Sequence, residues 1–273
     1  MAIRFNEKTV QAAPAGSGVK RQPLLDEARV PAIKFSVERV TLEAGAELAF
    51  ALAADDLAWF QVLEGEVELQ THRLTDAHVA FLPPGFQGRV ASASGAALLL
   101  AKIPQAARHD PAFDPSRLEL RIVDWTREPV LLSEHDARKR IYLVTPKLFS
   151  TKAIKGEMII YPPGTEAANH HHEGAAHFMY ILDGGGTCFA NEQPFAVKQG
   201  DVVYYADGER HYLRSDAQTG MRFVEFFVPG SYKTVWAPNA NVCAWIPSGK
   251  SIRDEKAARE IQAHSSAAPT ADI

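Results

Sequence analysis

A chain of 273 residues exceeds one common domain, and with 46% hydrophobic and 23% charged residues it has the balance of a soluble globular protein able to bury a real core. Its net charge of −4 and the lack of any long Lys/Arg tract argue against an extended phosphate backbone as partner, and no window approaches about eighteen uninterrupted apolar residues, so nucleic acid and membrane are both set aside. Two cysteines, Cys188 and Cys243, are too few for a disulfide framework and suit a reducing compartment.

The first eight residues contain no apolar core of a secretion signal, which leads us to expect a cytoplasmic protein. Short apolar runs follow at 37–42, 59–63 and 67–71, each bounded by Gly, Pro or Asp, and a further run ends in the tight turn Pro83-Pro84-Gly85. Residues 106–139 read as a connector: Pro111 and Pro115 interrupt it, a short strand is expected at 118–123, and the charged run 136–140 reads as a solvated turn. A second series of strands is expected at 158–161, 178–182, 202–205 and 221–228. After Pro247, Ser251 and Asp254 fit a capping box that would open a short helix ending near Ala263, with a disordered Ser/Ala/Pro/Thr tail beyond. No helical pattern separates the strands, which argues against a doubly wound α/β fold, and 17 prolines with 18 glycines suit many strands joined by turns. The expected class is all-β.

The chemistry concentrates in the second series. His170 and His172, one residue apart, project from the same face of a strand, because side chains alternate with period two. Residues 173–176 are enough to turn the chain, so His177 begins the returning strand and faces the first two; His211 follows thirty-four residues later. The four imidazoles form a candidate pocket for one divalent transition metal ion per chain. His171 points to the opposite face and is excluded from the ligand set. Such a site suits Fe(II) or Mn(II), with Ni, Co, Cu or Zn as alternatives. Four neutral imidazoles leave the double charge of the ion uncompensated, so an anionic or enolisable small molecule is the expected partner at its open positions.

The order Gly164, five residues, His170-x-His172, four residues, His177, six residues, Gly184, followed by Gly200, five residues, Ala206-x-Gly208, two residues, His211, three residues, Ser215, resembles the two motifs of the cupin superfamily. That resemblance implies a small antiparallel β-barrel around one divalent metal. The chain departs from the family pattern at His177, where Glu is usual, at Ala206, where Pro is usual, and at Ser215, where Asn is usual.

The first half echoes the second. Residues 59–65 match 178–184 in pattern, and 79–85 match 202–208. On these anchors the positions of His170, His172, His177 and His211 become Ala51, Ala53, Ala58 and Gly88, none able to bind metal. The expected organisation is therefore two tandem barrels: a degenerate cupin at 30–105, the connector at 106–139, a metal-binding cupin at 140–232 and a C-terminal extension at 233–273. A bicupin with a silent first barrel is similar overall to the ureidoglycine aminohydrolases. Their site of Glu, two His and Gln is matched in type by His172 and His177, whereas His170 stands at the Glu position and His211 at the Gln position. Analogy with bicupins also implies a homodimer.

Three functions remain open on these residues. The first choice is a non-haem dioxygenase, as similar mostly-His cupins are; the second is a Mn(II)-dependent non-redox hydrolase or isomerase; the third is a non-catalytic binding protein for a small ligand. Glu225, a carboxylate within an apolar strand, is the candidate acid or base, because such burial is costly unless the group is paired or used. Strand parity from His177 and His211 puts Met179, Ile181 and Leu213 on an apolar substrate-pocket wall.

Overall fold

The computed structural model describes residues 2–266, and the chain divides into two compact units, one spanning Glu7–Trp125 and one combining the residues up to Asn6 with those from Thr126 on. Both are built from antiparallel strands, and among the described residues the only α-helix is the single turn Pro146–Phe149.

The unit Glu7–Trp125 consists of a seven-stranded and a four-stranded sheet. Strand Ala46–Ala51 alternates strictly between buried and exposed residues, as a half-buried strand should, and pairs with Gln87–Ser92. These strands carry two of the positions expected to replace histidines, Ala51 opposite Gln87 and Gly88 opposite Phe50. The space between the sheets is filled by an apolar cluster in which Phe50 stacks on Phe60 at 6.0 Å and meets Phe86 edge-on at 6.4 Å. Each such ring contributes about 1.5–3 kcal/mol by burial, so the interior of this barrel is filled by apolar packing.

In the other unit one strand, Ala176–Ala190, does most of the positioning. Its first half pairs with Asp201–Tyr205 and Met221–Val228, its second with Gln193–Lys198 and His211–Ser215. The handover falls at the irregularity between Ile181 and Asp183 and the run Gly184-Gly185-Gly186. A Cβ at Gly186 would stand 2.1 Å from the carbonyl oxygen of Arg214, and one at Gly185 would stand 2.5 Å from that of Val197, so only glycine lets the strands close this corner.

Two expectations are corrected, and one strand pairing lies outside them. The connector does not form a separate segment: Arg121–Asp124 pairs with His78–Leu82 of the first unit, whereas Leu131–Ser133 pairs with Lys139–Val144 of the second, because each run has apolar residues to bury on a sheet edge. The N-terminal strand Ile3–Asn6 pairs with Asp201–Tyr205 of the second unit, fixed by Asn6 Nδ2 donating to Asp201 Oδ1 at 2.7 Å. Residues 251–263 form no helix. The Ser251 hydroxyl accepts from the amide of Arg253 rather than capping a helical turn, Asp254 takes a left-handed φ of 63°, and tertiary bonds from the Ala258 amide to the Arg127 carbonyl and from Arg259 to Glu128 (2.6 Å) outcompete helix propensity. The extension instead supplies strands Ala244–Pro247 and His264–Ser265 to the same sheet. Of the expected disordered tail, residues 267–273 lie outside the described residues.

Candidate metal centre

His170 and His172 lie on strand His170–Glu173, where His170 pairs with His211 on one side and with Trp236 on the other, and His172 pairs with Thr234. The turn that follows is stapled by the second motif: the Gly208 amide donates to the His172 carbonyl at 2.8 Å, and the Gly174 amide donates to Asp207 Oδ1 at 2.9 Å. His177 then opens the long strand opposite Tyr205 and Phe227. His171, on the other face, sits 3.5 Å from Glu173, outside the cluster, as alternation requires.

The four rings converge. Their centroids are 4.5 Å apart for His170 and His211, 4.7 Å for His177 and His211, 5.0 Å for His170 and His172 and for His172 and His177, and 5.2 Å for His172 and His211. One nitrogen from each of His170, His172 and His211 lies within 4.8 Å of the others, near the roughly 3–4.3 Å that two nitrogens about 2.1 Å from one ion would span. His177 flanks this trio, stacked between Tyr205 at 5.1 Å and Phe227 at 4.8 Å.

Hydrogen bonds set the tautomers. The Nδ1–H of His170 donates to the Ala168 carbonyl and that of His211 to the Glu209 carbonyl, both at 2.8 Å, and His172 Nδ1 meets the Thr234 hydroxyl at 3.2 Å. The two carbonyl bonds leave Nε2 of His170 and of His211 with its lone pair free, the arrangement a metal-ligating imidazole needs, and the Thr234 hydroxyl can accept from His172 Nδ1–H to allow the same tautomer there. Burial first holds all four rings neutral, joined by the neighbouring imidazoles for His172, His177 and His211 and by Arg138 and Arg140 for His170: His170 is pulled down to about 4, His177 to about 3, and His172 and His211 lie well below the usual histidine range. His177 adds the decisive detail. It is 1% exposed, yet neither of its nitrogens has a hydrogen-bond partner. Two orphaned polar atoms are costly in a dry site, and a cation among the four rings would satisfy the inward-facing one. The donor set fits a divalent transition metal.

Beside the rings lies a cavity of about 60 Å³, lined on the imidazole side by His170, His172, His211 and Leu213 and elsewhere by a charged network. Arg140 reaches Glu157 Oε1 at 3.1 Å and lies 4.1 Å over the Trp245 ring; Lys155 reaches Glu157 Oε2 at 3.0 Å and donates to the Tyr232 hydroxyl at 2.8 Å. Burial opposes ionisation of Glu157, but Arg140 and Lys155 outweigh it and bring that carboxyl down to about 2. Glu225 also faces the cavity; burial and the adjacent negative charge of Glu157 push it well above the ordinary carboxyl range. Arg138, a third cation on the lining, is clamped by Asp136, with Nη2 2.7 Å from Oδ2.

Residues 157–227 match the cupin domain family. The segment is a cupin domain. Over 87 residues the chain is 29% identical to an oxalate-binding protein from Thermotoga maritima, a stretch covering 32% of this chain and 72% of that protein. Two solved structures share the fold across both units. One is protein Ylba from E. coli, at 14% identity and a TM-score of 0.67, covering 83% of this chain and 90% of the other; the second is a variant of oxalate decarboxylase from Bacillus subtilis, at 14% identity and a TM-score of 0.66, covering 85% and 78%. Another structure of that decarboxylase, at 15% identity and a TM-score of 0.65, concerns its Mn(II) centres.

Within this cupin, the expected site residues divide. The four histidines and Glu225 come together, and Leu213 lines the cavity. Met179 and Ile181 are fully buried in the apolar cluster of the same barrel but are not among the cavity-lining residues. The wall is more charged than parity from His177 suggests, and the run 136–140 is no solvated turn: Arg138 is buried, and strand Lys139–Val144 carries Arg140 inward. The missed signal is again period two. Arg138, Arg140 and Tyr142 share one face, as do Lys155, Glu157, Ile159 and Tyr161, and all line the cavity. Among the described residues, the histidine trio is the only set of three potential ligands so closely grouped, and it belongs to the cupin domain.

Proposed function

We propose that this protein is a mononuclear metal enzyme acting on a small carboxylate, with His170, His172, His177 and His211 holding the ion. The observation that carries this reading is the juxtaposition of four neutral imidazoles, three buried and that of His170 half-buried, with a small cavity whose lining cations outnumber its ionised carboxylates. A water needs about 10–15 Å³ of such space, so the cavity of about 60 Å³ accommodates a ligand of roughly four to six non-hydrogen atoms. Arg138 is largely neutralised by Asp136. Arg140 and Lys155 share only Glu157; burial and the neighbouring Arg140 pull Lys155 below the ordinary lysine range, and an incoming anion would favour its charged form, leaving one positive charge to meet that anion. Relatives named for binding or decarboxylating oxalate support the same ligand class.

A bound divalent ion supplies Lewis-acid polarisation of the carboxylate it contacts. The protein's own part is to orient that carboxylate with Arg140, to limit water with the rings of Phe227, Tyr232 and Trp245 that line the cavity, and to deliver or accept a proton at the Glu225 carboxyl, which is held towards its neutral form. The test is turnover of a panel of two- to four-carbon mono- and dicarboxylates, oxalate included, by Mn(II)-loaded protein under strict anaerobiosis. Glu225→Gln should abolish turnover and keep the metal; retained turnover removes the role assigned to Glu225.

The donor set favours one competing reading. With no carboxylate among the ligands, the site also suits an Fe(II) dioxygenase acting on a similarly small acid. Dioxygen uptake by the Fe(II)-loaded protein, with no anaerobic turnover, would select this reading over the first.

A further inference from the structure

We infer that Glu157 and Glu225 hold a single proton between them as a carboxylate–carboxylic acid pair, with Glu157 the positioning residue that keeps Glu225 protonated next to the metal centre. The two residues are direct partners on adjacent strands, Lys155–Tyr161 and Met221–Val228, so their side chains leave the sheet on the same face. Cross-strand partners stand only about 4.5–5.5 Å apart at Cβ, too close for buried Glu157 and half-buried Glu225 to avoid one another. Both line the same cavity, and Glu157 is 1% exposed.

Two like charges so placed cannot both persist in a dry site, and their partners decide which one ionises. Glu157 has a cation on each oxygen, Arg140 on Oε1 and Lys155 on Oε2. Glu225 has none within ion-pair distance among the described residues; Arg140 and Lys155 act on it only at longer range, and its side chain shares a hydrogen bond with Glu157. The other titratable groups acting on this pair are the phenols of Tyr142, Tyr161, Tyr205 and Tyr232, all driven towards the neutral form by burial, and the rings of His177 and His264, which burial likewise holds towards neutral, so none competes for the negative charge. The proton therefore resides on Glu225 and the charge on Glu157.

This arrangement gives the carboxylate reading above its acid–base group, and rests on that reading only for its use: the proton placement stands or falls independently of substrate. A neutral Glu225 also maintains the positive surplus of the network, since its ionisation would cancel the charge left over by Arg140, Lys155 and Glu157.

The experiment is infrared spectroscopy of the full-length protein at neutral pH, read in the carboxylic-acid carbonyl-stretch region, which monitors protonation without requiring turnover. Subtracting the Glu225→Gln spectrum from that of the wild type should reveal one acid band. Glu157→Gln should remove that band although Glu225 remains, because the freed Arg140 and Lys155 then draw a negative charge onto it. Glu157→Asp retains the charge but shortens the reach, so the band should persist and move to higher frequency as the hydrogen bond weakens; this arm serves if Glu157→Gln does not fold. An acid band absent from the wild type, unaffected by Glu157→Gln, or unmoved by Glu157→Asp would overturn the pair.

Discussion

Replacing His177 by leucine should reverse its effect on stability according to whether metal is present. In chelator at pH 8 the ring is neutral, since it titrates at about 3, so the substitution removes no charge. It removes two buried nitrogens without partners, each costing about 1–3 kcal/mol. It also removes stacking on Tyr205 and Phe227, about 0.5–1.5 kcal/mol per pair. The balance is a stabilisation of roughly 1–3 kcal/mol, which for a unit of about 150 residues is about 2–4 °C in Tm for each kcal/mol. With free Mn(II) at a thousandfold excess over its Kd, the wild type gains about 4 kcal/mol by mass action, whereas a variant short of one ligand binds weakly and gains little. Calorimetric scans of both proteins with EDTA and with Mn(II) should therefore cross: the variant melts higher in chelator and the wild type higher in metal. A variant that melts lower under both conditions, or that gains as much from Mn(II) as the wild type, would refute the assignment of His177 as a ligand with unmet valence.

The remaining predictions concern pH, stoichiometry, the barrel corner and the cationic wall. In the metal-free protein His170 and His177 titrate at about 4 and about 3, below the unfolded value of 6.5, so on acidification the unfolded chain takes up protons first. Stability should hold above pH 6.5 and fall from there towards pH 4 to 3, by up to about 1.4 kcal/mol per pH unit for each ring, and urea midpoints constant between pH 7 and pH 4 would contradict the burial of neutral imidazoles. Elemental analysis of reconstituted protein should find one ion per chain and almost none in His211→Ala; two ions per chain would mean that the first barrel also binds. Gly186→Ala, whose new Cβ would meet the Arg214 carbonyl, should cost about 1–3 kcal/mol in thermal unfolding, and an unchanged Tm would show that the corner can relax. Arg140→Met should raise KM for the carboxylate about tenfold or more with a smaller change in kcat, whereas an unaltered KM would remove Arg140 from substrate binding.

The metal centre was legible because its geometry is local. Period-two alternation fixes His170 with His172 and expels His171, and a short turn brings back His177; only His211 needed a long-range partner, and the motif spacing supplied it. The absence of histidines from the matching strands was equally readable, since none lies between residues 1 and 71, and Ala51 and Gly88 stand on paired strands, one rung apart. The charged wall was not legible in the same way. Arg138, Arg140, Lys155 and Glu157 look like surface residues one at a time, and only the pairing of Lys139–Val144 with Lys155–Tyr161 turns Arg140, Lys155 and Glu157 into one network. The C-terminal segment misled for a related reason. Ser251 and Asp254 satisfy a helix-start pattern, but contacts with Arg127 and Glu128, more than a hundred residues away, determine the backbone.

The contrast between the two barrels bears on what the charged network is for. Phe50, Phe60 and Phe86 show that apolar rings suffice to fill such an interior. Burying an ion pair, by contrast, costs several kcal/mol per ion before the pair's attraction returns any of it, and apolar replacements are commonly neutral or stabilising. A stability role for Arg140, Lys155 and Glu157 therefore has a cheaper solution in the same molecule. With Lys155 protonated the network carries one more cation than ionised carboxylates, and burial works against that extra charge. An anion entering the cavity would cancel that surplus, and the ion held by four neutral imidazoles would draw the same ligand from the opposite wall. The two charge imbalances, one in the histidine cluster and one in the arginine–lysine wall, thus favour the same kind of ligand: a compact carboxylate that spans both.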